Sequence, residues 1–372
     1  MPLDRVRLVN NDKDVEAALD WLGDMDPVGA DVERDDARAY WLRAALVQVG
    51  GNGKVALFDP VTLQNWEPVA DWLANKCLIL HAMENDVWPL ARLGLQPELI
   101  EDTSLAAAFL GYERGLADLL HHLLGVDLDA NKEAMQRSPW ERRPLTPDEI
   151  SYAAGDVADL PDLWEVLADE LEARGRWNWY VEELDHLRSQ PDPRERRAWH
   201  KTKGVGRLND RARARAKAIW DWREAIAREQ DMAPNLILPD AVVTDLAAEP
   251  VTQAIDLPGR GMTRRMVRTY GDELIDVLKN PMVEPEFAHH QERNRPSSTQ
   301  KRLIDHIRLF RNEVAQDIGI DPGMVLPTKT VGPAIMAEPD NPEAVREAFH
   351  LRDWQWNIFG DSLAEMVLNN QA

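Results

Sequence analysis

Apolar and polar positions along the first half of the chain alternate between two periods. Asp14 to Leu22 has the spacing of an amphipathic helix, and Val28-Gly29-Ala30-Asp31-Val32-Glu33 has that of a strand. Ala44 to Val49 and Lys54 to Phe58 are apolar runs separated by Gly50-Gly51-Asn52-Gly53, which predicts a hairpin. A helix over Trp66 to Leu73 then precedes the wholly apolar strand Cys77-Leu78-Ile79-Leu80. Asp102-Thr103, after Leu99-Ile100, reads as a helix cap. Thr146-Pro147-Asp148-Glu149 is a capping box with proline at the first helical position, and it starts a helix containing Tyr152 and Asp156. Leu160, Leu163, Trp164, Leu167 and Leu171 form a core-facing stripe, and Pro161 marks a kink or a break before it. Strands alternating with helices predict an α/β domain.

The second half repeats itself. Trp222-Arg223 through Ala227, Pro234 and Leu238-Pro239 recur 88 residues later as Phe310-Arg311 through Ala315, Pro322 and Leu326-Pro327. Tyr270-Gly271-Asp272-Glu273-Leu274 recurs 89 residues later as Phe359-Gly360-Asp361-Ser362-Leu363, so one copy carries a single inserted residue. No strand-like alternation lies between, and each copy predicts a small all-α bundle. Glu284 to Ser298, rich in charge, His and Pro, reads as the linker.

Several polar residues interrupt these patterns. In an extended strand Asp31 and Glu33 point to one face, about 6 to 7 Å apart along the backbone. Two carboxylates that close repel unless a cation or proton intervenes, and hard oxygen ligation suits Mg²⁺ or Mn²⁺ rather than zinc. A strand end running into a loop would also carry such a pair. His81 and Asp86 follow the Cys77–Leu80 strand, where ligand sites of open α/β sheets gather. An acid also suits a helix N-terminus, and a histidine closing a strand can simply be hydrogen-bonded. Tyr152 and Asp156, four apart, share one helical face.

Composition changes this picture in four respects. The single cysteine, Cys77, rules out a disulfide framework or a thiolate metal site and is expected in the core. Without a run of 18 apolar residues or an apolar leader, the chain is expected to be soluble and cytoplasmic. The net charge of −22 argues against a polyanionic partner until its distribution is read. Residues 1–193 hold 17 basic and 38 acidic side chains, whereas residues 194–228 hold 12 basic and 4 acidic. Residues 229–372 account for the remaining −9. The basic run places Arg211, Arg213, Arg215 and Lys217 as candidate phosphate contacts, joined by Arg260, Arg264, Arg265 and Arg268. The fourteen tryptophans invite base stacking, but positions such as Trp164 belong to the core.

Asp31-Val32-Glu33, His81 through Asp86 and Tyr152-Ala153-Ala154-Gly155-Asp156-Val157, in that order, resemble the DEDD exonucleases of the ribonuclease H-like fold, tyrosine subclass. Trp140-Glu141-Arg142-Arg143-Pro144-Leu145 is also family-like, and Arg34 stands where the first motif often has an aromatic residue. The helical copies resemble the helicase and ribonuclease D C-terminal (HRDC) domain. The resemblance implies an exonuclease domain over residues 1–200, a first HRDC domain over 207–281 and a second HRDC-like domain over 297–372. It implies a 3′-to-5′ exoribonuclease using two divalent ions, Mg²⁺ or Mn²⁺, on RNA 3′ ends such as those of tRNA precursors. Asp31 would bridge both ions, Glu33 and Asp156 would complete one, Asp86 would hold the other, and Tyr152 would orient the attacking water. A DNA exonuclease of the same fold and a non-catalytic RNA-binding scaffold remain open alternatives.

Overall fold

A computed structural model describes residues 3–34, 37–128, 135, 138–279 and 296–370. Its six-stranded sheet has the order β1-β4-β3-β2-β5-β6. The strands are β1 (Val6–Val9), β2 (Val28–Arg34), β3 (Ala44–Gly51), β4 (Lys54–Phe58), β5 (Cys77–Leu80) and β6 (Leu99–Asp102). The expected hairpin is β3–β4, paired antiparallel from Val47↔Phe58 to Gly51↔Lys54. β2 runs antiparallel to β3 but parallel to β5, which is parallel to β6. β1, parallel to β4, is a four-residue edge strand whose two central side chains are exposed, too short a pattern to stand out in the sequence.

Helices α1 (Val15–Leu22), α2 (Glu67–Leu73), α3 (Val87–Arg92) and α4 (Thr103–Leu110) alternate with the strands. They are followed by α5 (Pro147–Ala158), α6 (Leu160–Ala173) and α7 (Trp177–Arg188). The capping box of α5 forms as expected, with Thr146 and Glu149 each bonding the other's backbone N–H. At Pro161 the chain breaks rather than kinks: α5 ends at Ala158 and α6 restarts with the proline in its first turn. Cys77 departs from expectation. As the first residue of β5 it is half-buried rather than in the core, and its N–H donates to Asp26.

The chain separates into two compact units, one of Met1–Arg34, Ala44–Gln190 and Asn294–Ala372, the other of Asp35–Arg43 and Pro191–Arg293. In the first, residues of the later helical copy such as Ile307, Val331 and Trp354 join one hydrophobic core with the sheet strands. In the second, Ile219, Leu246, Leu257 and Leu274 make a separate helical core. The segment between β2 and β3 folds within that second unit. Tyr40 is wholly buried beside Ile226, Ala227 and Ile237, its hydroxyl accepts from Arg228, and Asp231 accepts the Tyr40 and Trp41 N–H groups.

The repeat is visible helix by helix. Asp210–Glu229, Pro234–Ile237 and Asp240–Ala248 return 88 residues on as Ser298–Ile318, Pro322–Val325 and Thr328–Met336. Arg223 donates to the Leu238 carbonyl and the Asp240 carboxylate; Arg311 donates to the Leu326 carbonyl and the Thr328 hydroxyl. One guanidinium thus closes each copy by tying its first long helix to the turn that starts a later one. The linker expected over Glu284 to Ser298 lies outside the described residues except for its last three.

Candidate active site

Strand pleating and one helix turn build the acidic centre. Asp31 and Glu33 leave β2 on the same face, and α5 brings Asp156 to them. One carboxylate oxygen from each lies within 4.8 Å of the others. Glu33 and Asp156 are buried and Asp31 is partly so. A register shift between Glu33 and Arg34, a bulge in the β2–β3 pairing, interrupts the ladder beside the site before Arg34 pairs with Ala44. The close approach of sheet and helix needs glycine at Gly29, where a Cβ would meet the Val157 carbonyl oxygen at 2.6 Å.

The electrostatics record three negative groups with too little compensation. Burial, followed by the nearby Asp31 and Asp156 carboxylates, pushes the Glu33 carboxyl up to about 9. A centre that holds protons at neutral pH for want of positive charge fits a divalent cation, and its all-oxygen donors fit a hard one. Asp86 is outside the three-carboxylate group but electrically coupled to it. Burial first, then Asp31, drives its carboxyl well above the usual range.

Asp86 sits where a 3-10 turn, Met83–Asn85, passes into α3, yet its side chain makes no capping bond. A helix-capping role therefore does not explain it. Asp102, by contrast, caps α4 by accepting from the Ser104 and Leu105 N–H groups. It also accepts from Ala82 at 3.1 Å and Met83 at 2.9 Å, holding the turn that presents Asp86. The sequence marked Asp102 only as a cap; the second half of its work depends on β5 and β6 being neighbours. His81 closes β5 with Nδ1 2.9 Å from the Thr103 hydroxyl, which itself donates to the Leu80 carbonyl.

Tyr152 lies one turn before Asp156. Burial and the negative charges of Asp156 and Glu33 raise its phenol above the ordinary value, so the hydroxyl keeps its proton. Its ring packs 6.1 Å from that of buried Trp140. The Trp140–Leu145 segment is fastened to the sheet by Arg143, which donates to Asp59 and to the Ala45 carbonyl. Arg34 donates to the Asn85 carbonyl at 3.4 Å and lowers the carboxyls of both Glu33 and Asp86.

The candidate phosphate contacts divide into two sets. Arg213 is partly buried and donates to the Gly206 carbonyl, Arg215 donates to the Ala247 and Ala248 carbonyls, and Lys217 pairs with Asp221. Arg260 is held by Asp245 and Glu249. Arg211, Arg264, Arg265 and Arg268 are exposed. Another residue missed in sequence is Gln48, which lies within the run Ala44 to Val49 and stands in register opposite Asp31.

Residues 6–172 match the family model described as 3′-5′ exonuclease, and residues 212–278 match that of the HRDC domain. Fold and site thus define a 3′-5′ exonuclease joined to an HRDC domain. Ribonuclease D of Pseudomonas paraeruginosa is 29% identical over 336 residues, covering 87% of each chain. That of Granulibacter bethesdensis is 28% identical over 378 residues, covering 96% of this chain and 91% of its own. The crystal structure of Escherichia coli RNase D, titled an exoribonuclease involved in structured RNA processing, superposes with a TM-score of 0.79 at 21% identity, covering 98% of this chain and 99% of that one. The chain belongs to the ribonuclease D family.

Proposed function

We propose that this protein removes nucleotides from RNA 3′ ends by phosphodiester hydrolysis, with structured transcripts such as tRNA precursors as its substrates. The observation that carries the mechanism is the approach of Asp31, Glu33 and Asp156 oxygens to within 4.8 Å, an acidic centre in which burial and the neighbouring carboxylates push the Glu33 carboxyl up. Two Mg²⁺ or Mn²⁺ ions held there would supply activation of the attacking water, charge neutralisation at phosphorus and help for the departing 3′ oxygen. Asp31, Glu33 and Asp156 would hold the first ion, with Asp31 shared, and Asp86 would contribute to the second.

Tyr152 acts without giving up its proton. Its raised pKa excludes it as a general base near neutrality, so its hydroxyl serves to orient the nucleophilic water. Residues 1–200 are read as the exonuclease domain, 207–281 as an HRDC domain and 297–372 as a second HRDC-like bundle. Among the basic candidates, the exposed Arg211, Arg264 and Arg265 support phosphate contact best; Arg215 and Lys217 would have to exchange internal partners.

Asp31→Asn tests the assignment. It removes a charge at nearly constant volume, so the fold should persist while Mg²⁺-dependent hydrolysis of 3′-extended RNA falls by roughly two orders of magnitude or more. Wild-type rates in the purified variant would rule the metal site out. Parallel assays on DNA of the same sequence check the preference for RNA.

A further inference from the structure

Gln48 lies in the middle of β3 between Val47 and Val49, with 0% of its surface exposed. Neither its Nε2 nor its Oε1 has a hydrogen-bond partner. A buried amide without partners destabilises the folded chain, and an apolar side chain of similar volume would avoid that cost. The residues on either side are the apolar ones expected of a central strand. The exception needs a reason.

The β2–β3 register pairs Gln48 with Asp31. Directly opposite residues in an antiparallel pair project to one face, with Cβ atoms about 4.5–5.5 Å apart. That face lies beneath the helix bearing Tyr152 and Asp156. Gly29, two residues before Asp31 and so on the same face, approaches the Val157 carbonyl and the Leu160 Cβ. An ionised carboxylate offers about four lone pairs, more than one cation uses.

We propose that Gln48 is a positioning residue of the metal centre: with a divalent ion held, its Nε2–H donates to the Asp31 carboxylate and fixes the orientation in which Asp31 presents its oxygens. The Asp86 turn has such a support in Asp102, and the unpartnered Gln48 amide faces Asp31 across the ladder in the same way. The inference rests on the reading of Asp31 as a metal ligand and says which residue tunes it.

Full-length Gln48→Met and Gln48→Leu test it, the two side chains guarding against a packing failure of either. Each variant is compared with wild type by thermal unfolding in EDTA, by calorimetric titration with Mn²⁺ without nucleic acid, and by kcat and KM on a short RNA. The metal-free midpoint should stay level or rise because the orphaned amide is gone. The Mn²⁺ dissociation constant should increase about tenfold or more, the scale for losing a partner behind a ligand, and kcat should fall with KM little changed. Wild-type Mn²⁺ affinity and kcat in both variants would overturn the proposal whatever the midpoint does. Asp31→Asn separates the two readings. If it abolishes Mn²⁺ uptake while the Gln48 variants bind normally, only the role of Gln48 falls. If Asp31→Asn binds Mn²⁺ as wild type does, both fall.

Discussion

Arg265 and Trp354 occupy corresponding places in the two helical copies, 89 residues apart, and meet opposite surroundings. Arg265 is exposed at the start of Arg264–Lys279, with Arg264 and Arg268 exposed beside it. Trp354 is buried, stacked 5.4 Å from Trp179 and set edge-on to Phe109 at 5.3 Å. Around it, Glu182 accepts the Asp353 and Trp354 N–H groups, Arg352 pairs with Glu183, and Arg176 donates to the Phe109 and Ile318 carbonyls. Charges on α7 and just before it thus satisfy helix ends of the later copy, groups that a free helix leaves to water. One helical plan serves two ends. In the first copy the surface is left basic and open; in the second it is consumed as part of the nuclease core. Binding function should therefore be sought in the first, and structural support in the second.

The sharpest way to break this contrast is Trp354→Ala against Arg265→Ala. Truncating the buried indole should cost about 3–5 kcal/mol, lowering the thermal midpoint and the yield of active nuclease. The arginine change should stay within about 0.5 kcal/mol. Equal effects would mean that the two copies are used alike.

A second test follows from Glu33, whose unit contains the later copy. Its carboxyl, pushed up to about 9 by burial and then by the Asp31 and Asp156 charges in the folded protein, returns to the ordinary glutamate value of 4.5 when the chain unfolds. Between those values the folded state binds more protons, so metal-free stability must fall as pH rises. Glu33→Gln should flatten that fall, raising the midpoint in EDTA at pH 8 and leaving it unchanged near pH 4. In hydrogen exchange the gain should appear across residues 298–369 and not across 210–279.

Smaller is the effect on substrate capture. Replacing Arg264, Arg265 and Arg268 together by Ala should weaken RNA binding in Ca²⁺ and make log affinity less steep in log salt by roughly 0.7 per lost phosphate contact. The same measurement on Lys301→Ala with Arg302→Ala in the second copy should match wild type. The smallest change expected is that of Glu182→Gln, about 1 kcal/mol for weakening the cap on Asp353 and Trp354. Urea unfolding would resolve it, and no loss would show that the cap is replaced by water.

Much of this was legible because it depends on local period. The two-residue spacing of Asp31 and Glu33 and the four-residue spacing of Tyr152 and Asp156 each fix a common face before any tertiary contact is known. The internal offset of 88 then 89 residues reproduces the start of every corresponding helix from Asp210 to Asp353. What escaped depends on neighbours far away in sequence. Asp102 holds the Asp86 turn only because β5 and β6 pair, and Gln48 matters only because its register meets Asp31. Trp354 has no periodic signal like that of Trp164, since its partners lie far upstream, Phe109 on α4 and Trp179 and Glu182 on α7. Cys77, placed in the core by its apolar neighbours, opens a strand and is half-exposed there.

The segment after β2 has a consequence for synthesis on the ribosome. Tyr40 and Trp41 emerge early, but the Asp231 carboxylate that accepts their N–H groups lies 190 or 191 residues later. At about 5–20 residues per second, some 10–40 s pass before that partner is made. During that interval the place that Tyr40 takes beside Ile226, Ala227 and Ile237 in the folded protein does not yet exist. β2 thus begins its life on one side of a loop whose docking site has yet to be translated.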